Sequence, residues 1–191
     1  GTFRRYVLDS SAVGRDKGGG RHHVFHGREL AIPNDDSLKP ARLDGRCIWV
    51  MAKGYAAEEG GMQTYAEGVA EAYADAGADV TVFTQTARGP RRMRVGSVAL
   101  VDIGAPKSPL MPLRLRSAMR REKSERGVPF LVHGTTWRTS VLPLMARLPY
   151  VTTFHGREFM YGGARLRQLM RLVARRARAI VTVSEYSAAK L

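Results

Sequence analysis

Apolar and polar positions divide much of the chain into short apolar runs separated by longer stretches with helical periodicity. Residues 47–52 form an apolar run of strand length, and residues 79–84 form a β-branched run. Between them, apolar residues recur from Met62 onward at steps of three and four, which is typical of one helix face. Gly77 follows at the position where a helix stop is expected. This order predicts a βαβ unit with two parallel, neighbouring strands.

The same alternation continues to the end of the chain. Four further apolar runs predict strands, which lie at 97–102, 130–133, 150–154 and 179–183. The segments between them predict helices, which lie at 113–126, at 135–147 with a bend near Pro143, and at 164–178. A final short helix is predicted to begin at Ser184. Six strands that alternate with helices predict an α/β doubly wound parallel sheet with helices on both faces.

Residues 1–46 lack this alternation. They hold three of the five histidines, a run of three glycines at 18–20 and several turn signals, with strand-like pieces at 6–8 and 23–25. The histidine spacing matches no zinc pattern, so no metal site is predicted. We therefore expect an N-terminal extension or arm over 1–46 and a folded domain over 47–191.

Two histidines occupy equivalent places at the ends of predicted strands. His133 and His155 each follow an apolar strand and each precede a glycine. In a parallel sheet, ligands bind beyond the carboxyl ends of the strands. A histidine there can hydrogen-bond a sugar hydroxyl or a phosphate, or transfer a proton, and the simpler alternative is a cap on the following helix. Glu158 lies three residues after His155 and can orient its ring.

A glycine pair, Gly60 and Gly61, lies at the predicted strand-to-helix turn just before Met62. Backbone N–H groups at such a turn can bind an anion, usually phosphate, because no side chain is in the way. Neither the G-x-G-x-x-G fingerprint nor a phosphate-loop pattern is present, so the pair alone is explained more simply as a tight turn. Ser184 can cap a helix or reach the same crevice.

Charge and composition narrow the function classes. A net charge of +14 over 191 residues predicts attraction to nucleic acid, an anionic membrane surface or phosphorylated substrates. The single cysteine, Cys47, excludes an intrachain disulfide framework and favours a reducing, cytoplasmic compartment. No apolar run reaches the roughly 18 residues of a membrane span. Neither a nucleophile elbow nor an obvious carboxylate pair indicates a hydrolase.

Five short segments combine the strand ends and turns described above. They read Glu-Gly-Gly-Met-Gln-Thr-Tyr-Ala at 59–66, Ala-Asp-Val-Thr-Val-Phe-Thr at 78–84, Val-His-Gly at 132–134, Val-Thr-Thr-Phe-His-Gly-Arg-Glu at 151–158 and Val-Thr-Val-Ser-Glu-Tyr-Ser at 181–187. Together they resemble the amino-terminal half of a family-four, retaining glycosyltransferase with the GT-B fold. The resemblance covers 47–191 and implies a Rossmann-like, acceptor-side domain that faces a donor-side domain across a cleft.

The resemblance implies transfer of a sugar from a nucleotide-sugar to an acceptor hydroxyl with retention of configuration, by a hexosyltransferase-type enzyme without a metal. The family's glycine loop approaches the donor diphosphate, which falls on Gly60 and Gly61, followed by Met62. Its strand-end histidine contacts the donor sugar near the reacting carbon, which falls on His155. From their strand-end positions, we expect His133 and Ser184 in the same crevice. The resemblance also implies that the leaving diphosphate assists the acceptor hydroxyl, so no side-chain nucleophile is expected.

The sequence stops at Leu191, before the family's carboxyl-terminal donor domain. We therefore expect a fragment, an enzyme completed by that domain in cis or in trans, or a chain without transfer activity. The alternative interpretation is a basic, non-catalytic module that binds an anionic membrane surface or another anionic partner.

The basic residues favour a membrane over nucleic acid. Residues 164–178 carry six arginines and no acid, with their apolar residues on one face. Such a helix can dock on a membrane surface, and the commoner alternative is a core helix with a solvated face. A lipid-linked acceptor and peripheral binding at the inner face of a membrane are the corresponding expectations. Nucleic acid is disfavoured, because no aromatic platform is interleaved with the basic residues.

Overall fold

The computed structural model describes residues 4–8, 27–28, 42–55, 61–104, 109–155 and 163–183. Its strands are β1 (Arg4–Leu8), β2 (Gly27–Arg28), β3 (Cys47–Met51), β4 (Asp79–Thr84), β5 (Arg91–Val95), β6 (Val98–Asp102), β7 (Leu131–Gly134), β8 (Tyr150–Phe154) and β9 (Ala179–Thr182). Its helices are α1 (Gly61–Asp75), α2 (Met111–Arg126), α3 (Val141–Met145) and α4 (Ala164–Arg176). Within these ranges, nine strands form one sheet in the order β2-β1-β9-β8-β7-β3-β4-β6-β5.

Parallel pairing dominates the described sheet. β3 and β4 pair in parallel, with Cys47 opposite Asp79 and Met51 opposite Phe83. The other pairs among the described strands are parallel too, except for β1 with β2 and β5 with β6 at the two edges. The predicted α/β doubly wound parallel sheet is therefore confirmed.

The two faces of the sheet carry separate cores. Trp49 and Met51 in β3 face one core, whereas Val50 faces the other, as the two-residue period of a strand requires. The first core is covered by α2, α3 and α4, which we call the α2–α4 layer. The second is covered by α1, the α1 layer, through Ala66, Val69 and Ala70, among others. Helices thus lie on both faces.

Parts of the N-terminal segment contact this sheet. β1 pairs in parallel with β9, and β2 pairs antiparallel with β1, so the predicted strand at 6–8 lies within β1. The predicted strand at 23–25 lies outside the described residues. The N–H of Gly45 donates to the carbonyl of Gly77 at 2.9 Å, which joins the turn before β3 to the turn after α1. Gly77 has a φ of +91°, the left-handed conformation expected just after a helix.

The prediction of one helix over 135–147 is wrong. Only Val141–Met145 is helical, because side chains before it bind the backbone locally and compete with helix formation. Thr139 Oγ1 donates to the carbonyl of Thr136 at 2.9 Å, and Ser140 Oγ lies 3.1 Å from the same carbonyl. The N–H groups of Thr136 and Thr139 in turn contact each other's hydroxyl oxygens. The segment therefore forms turns before α3 begins.

The sequence interpretation also missed β5. This strand pairs antiparallel with β6 through a two-residue turn at Gly96 and Ser97, where Gly96 has a φ of +59°. Its first four residues are exposed, and three of them are arginines, so the sequence of this strand has no apolar run that would have predicted it. Exposed arginines are typical of an edge strand, since they oppose pairing with another chain. The Gly-Ser dipeptide between Val95 and Val98 was the signal that could have revealed the hairpin.

Candidate functional site

Tyr65 of α1 links the carboxyl ends of β7 and β8. Its hydroxyl lies 2.8 Å from Thr153 Oγ1 in β8. Its ring lies edge-on to two histidines, with centroids 5.7 Å from His155 and 6.4 Å from His133. The fold therefore brings both sequence-predicted histidines against α1, and His155 lies beside its first turns. The sequence had placed Tyr65 on one face of a helix and within the segment 59–66, but had not indicated it as a site residue, although its position one turn after Gly61 was a usable signal.

The ring of His155 is held in one orientation at the end of β8. Its Nε2 donates a hydrogen bond to the carbonyl oxygen of Thr135 at 2.8 Å, because a carbonyl can only accept. Thr135 is itself fixed, since its N–H and its hydroxyl both donate to the carbonyl of Met51 at 3.0 Å. Three neighbouring strand ends, those of β3, β7 and β8, therefore position a half-buried imidazole.

His133 lies deeper than His155. Its side chain is 4% exposed, with Nδ1 3.0 Å from the Tyr73 hydroxyl and Nε2 2.9 Å from Thr153 Oγ1. Burial lowers the pKa of His133 to about 4, so the ring is neutral at pH 7. A direct ligand contact from either ring nitrogen would require one of these hydrogen bonds to break.

The buried polar groups form one hydrogen-bonded chain between α1 and the sheet. It runs from Tyr73 through His133 and Thr153 to Tyr65. Burial raises the pKa of Tyr73 to about 12 and raises that of Tyr65 further, so both phenols keep their protons at neutral pH. A neutral imidazole has one donor and one acceptor nitrogen, which two hydroxyl neighbours can both satisfy. This chain fixes α1 against β7 and β8.

The predicted glycine turn lies at the beginning of α1. Gly61 is the first residue of the helix and is exposed, and a Cβ built on it would meet nothing within 4 Å. Nothing in the described part of the fold therefore requires glycine there. Met62 follows and is 42% exposed. The first N–H groups of α1 have no acceptor within the helix and carry the positive end of its dipole.

Three predicted site residues cannot be placed. Gly60, Glu158 and Ser184 lie outside the described residues, as does the short helix predicted to begin at Ser184. Within the described ranges, no group of three or more His, Cys, Asp or Glu side chains could hold a metal ion. The helices in those ranges also include none with both the length and the apolar character needed to cross a bilayer.

Comparison with solved structures gives weak overall similarity. A short-chain dehydrogenase/reductase variant from Serratia marcescens is 14% identical, with 74% of this chain and 77% of that one covered and a TM-score of 0.46. The catalytic domain of starch synthase IV from Arabidopsis thaliana, bound to ADP and acarbose, is also 14% identical, with a TM-score of 0.42. That match covers 65% of this chain and only 38% of the starch synthase chain.

Comparison with protein-family models identifies the family of this chain. No curated protein matches the chain. The model of the family described as Glycosyltransferase Family 4 matches residues 59–191, which is well over half of the chain. This range begins two residues before α1 and includes both histidines. The protein therefore belongs to glycosyltransferase family 4.

Proposed function

We propose that residues 47–191 form the acceptor-side domain of a retaining, hexosyltransferase-type glycosyltransferase, with residues 1–46 as an extension. A donor-side domain, in cis or in trans, would complete the cleft. The observation that carries the proposal is the fixed ring of His155 beside the first turns of α1, within a chain that belongs to a glycosyltransferase family.

The proposed reaction exchanges one bond at the anomeric carbon of a nucleotide-sugar. The bond from that carbon to the diphosphate oxygen breaks, and a bond to the acceptor oxygen forms on the same face of the sugar. The acceptor's proton passes to the leaving diphosphate, so no protein nucleophile or metal is needed. The protein supplies orientation and charge stabilisation, which are large terms in catalysis.

Each site residue has a distinct proposed role. His155 binds the donor sugar beside the reacting carbon, and Glu158 orients it. Gly60, Gly61 and Met62 present backbone N–H groups to the diphosphate, and the open space over Gly61 is compatible with close approach of a ligand. Two further roles follow from position: Ser184 contributes to the crevice, and His133 acts as a positioning residue that holds α1 and β8 together.

The test is the turnover of a His155→Ala variant in the enzyme that contains both domains. We expect turnover to fall by about 100-fold, in line with loss of a positioned polar group, in a variant that remains folded. His155→Gln is the matched control, because its amide can still donate to the Thr135 carbonyl without supplying an imidazole. Near-normal turnover in a folded His155→Ala variant would reject the proposed role.

A second candidate, binding to an anionic membrane surface, is favoured by the distribution of charge. The α4 helix has five arginines, all exposed, and no acid. Leu113 and Met145, on α2 and α3 of the same layer, are 64% and 73% exposed. An anionic surface at the cytoplasmic face would attract the arginines, and these apolar side chains can insert shallowly. The α2–α4 layer would then act as a peripheral membrane module, with or without catalysis.

A further inference from the structure

A cavity of about 530 Å³ opens at the carboxyl edge of the sheet, on the side of the α2–α4 layer. Its volume falls in the range of small-molecule sites. Buried side chains form its floor, which comprises Met51, Phe83 and Ile103. Its walls come from two helices and include Met111 and Leu115 of α2 and Val141 and Leu142 of α3. The interior is therefore mainly apolar and rich in flexible aliphatic side chains.

The polar groups of this cavity are cationic or neutral. Lys53 and Arg138 contribute to the lining and are exposed, which places them at the mouth, and the described lining residues include no carboxylate. The guanidinium of Arg138 lies 5.4 Å from the centroid of the Trp137 ring. Thr84 also contributes to the lining, and its buried hydroxyl has no hydrogen-bond partner among the described residues. The cavity thus offers an apolar interior below two positive charges.

A short hydrogen-bonded path joins this cavity to His155. Met51, in the cavity floor, accepts two hydrogen bonds from Thr135 at its carbonyl, each 3.0 Å long. Thr135 in turn accepts the hydrogen bond from His155 Nε2 at 2.8 Å. One residue therefore separates the cavity floor from the proposed catalytic histidine, across the edge of the sheet.

We infer that this cavity binds the apolar chain of an amphiphilic acceptor whose anionic head group, a phosphate, contacts Lys53 and Arg138. The inference rests on the proposed glycosyltransferase function and names the substrate class of its acceptor side. A bare sugar acceptor fits less well, because binding it needs several polar partners and this lining is mostly aliphatic. Complementary charge favours an anionic head, and an alkyl or isoprenyl chain matches the Met and Leu walls.

The test measures binding of monomeric dodecyl phosphate to the 191-residue chain without donor, by equilibrium dialysis below the critical micelle concentration. Uncharged dodecanol and inorganic phosphate are the comparison ligands. Saturable binding of dodecyl phosphate, one molecule per chain, is expected. Met111→Trp narrows the cavity and should weaken this binding by at least about tenfold, since loss of contact with about two methylenes is sufficient. Leu113→Trp, two residues away and outside the lining, should bind as the unmodified chain does.

Charge is tested separately. Arg138→Gln should weaken binding of dodecyl phosphate but not of dodecanol, and Arg116→Gln, exposed on α2 outside the lining, should alter neither. Absence of saturable binding, equal binding by Met111→Trp, or inorganic phosphate competing as strongly as dodecyl phosphate would overturn the inference. The binding measurement contains no donor, so its failure would not affect the turnover measured for the His155 variants. Conversely, normal turnover of His155→Ala would reject the role of His155 and would leave the binding of dodecyl phosphate to be judged by itself.

Discussion

The two sides of the sheet differ in charge and in whether their polar side chains are buried or exposed. The α1 helix has three acidic residues and no basic one, and it buries the hydrogen-bonded chain from Tyr73 to Tyr65 beneath it. In the α2–α4 layer, α2 has six basic residues and α4 has five, most of them exposed. These two helices therefore place eleven basic side chains on the side of the sheet opposite to the hydrogen-bonded chain. The α1 side therefore holds its polar side chains in fixed positions, whereas the α2–α4 layer presents positive charge that can attract an anionic surface.

The α2–α4 layer also buries one acid, and breaking its contacts should have the largest effect. Glu122 is buried and contacts the partly exposed guanidinium of Arg92, and its Oε2 lies 3.5 Å from Arg126 Nε. Glu122→Ala should lower the free energy of unfolding by about 3 kcal/mol, because it removes the contacts of a buried carboxylate with two arginines and leaves the buried Thr81 hydroxyl without its acceptor.

Chemical denaturation compares this variant with Glu125→Ala, which removes an exposed carboxylate from the same arginine network. Exposed ion pairs contribute little, so the control should be much less affected. An equal decrease in the free energy of unfolding of the two variants would show that the buried position of Glu122 does not add to its contribution to stability.

The α1 side should dominate the dependence of stability on mild acid. Burial lowers the pKa of His133 from 6.5 to about 4, so between these values the unfolded state binds the proton more readily than the folded state. The free energy of unfolding should therefore fall as pH decreases through this window, by up to about 3 kcal/mol. This contribution is fully present at pH values above the unfolded pKa.

Denaturant unfolding at several pH values measures this effect. The quantity compared is the free energy of unfolding of the unmodified protein minus that of a His133→Gln variant. This difference cancels the contribution of carboxylates that titrate in both proteins. A His133→Gln variant with the same pH dependence as the unmodified protein would contradict the buried, neutral assignment.

The smallest expected effect concerns the basic surface. Arg171→Gln on α4 should weaken binding to anionic vesicles by about 1 kcal/mol, or roughly fivefold. Glu71→Gln on α1 changes the net charge by one unit as well, in the opposite direction, and should leave binding unchanged if the α2–α4 layer docks. Co-sedimentation with anionic and neutral vesicles at low and physiological salt measures both variants. Equal retention on both vesicle types, or stronger binding of Glu71→Gln, would contradict docking by this layer.

Much of the fold could be predicted because its signals are local. The strands at 79–84 and 150–154 were predicted at their observed limits, since β-branched or apolar runs bounded by turn residues specify them. The turns before α3 were missed because the hydroxyls of Thr136, Thr139 and Ser140 bind backbone nearby, and periodicity does not report such contacts. The β5 strand was missed because an edge strand needs no apolar run.

The site was predictable only in part, for a geometric reason. His155 and Gly61 stand at strand and helix ends, which the sequence pattern reveals. The pairing of Tyr65 with Thr153 joins residues 88 positions apart, and it exists only once α1 packs on the sheet. The cavity likewise requires β6 to lie beside β4, whereas the sequence pattern predicted only that β3 and β4 are neighbours.

The central claim is that this chain belongs to a transferase that moves a sugar from a nucleotide-sugar with retention of configuration. Proton NMR of the anomeric signal tests it most directly, using the enzyme that contains this chain together with its donor-side domain. A product with the same anomeric configuration as the donor is predicted. A product with inverted configuration, or hydrolysis of the donor without transfer, would contradict the claim.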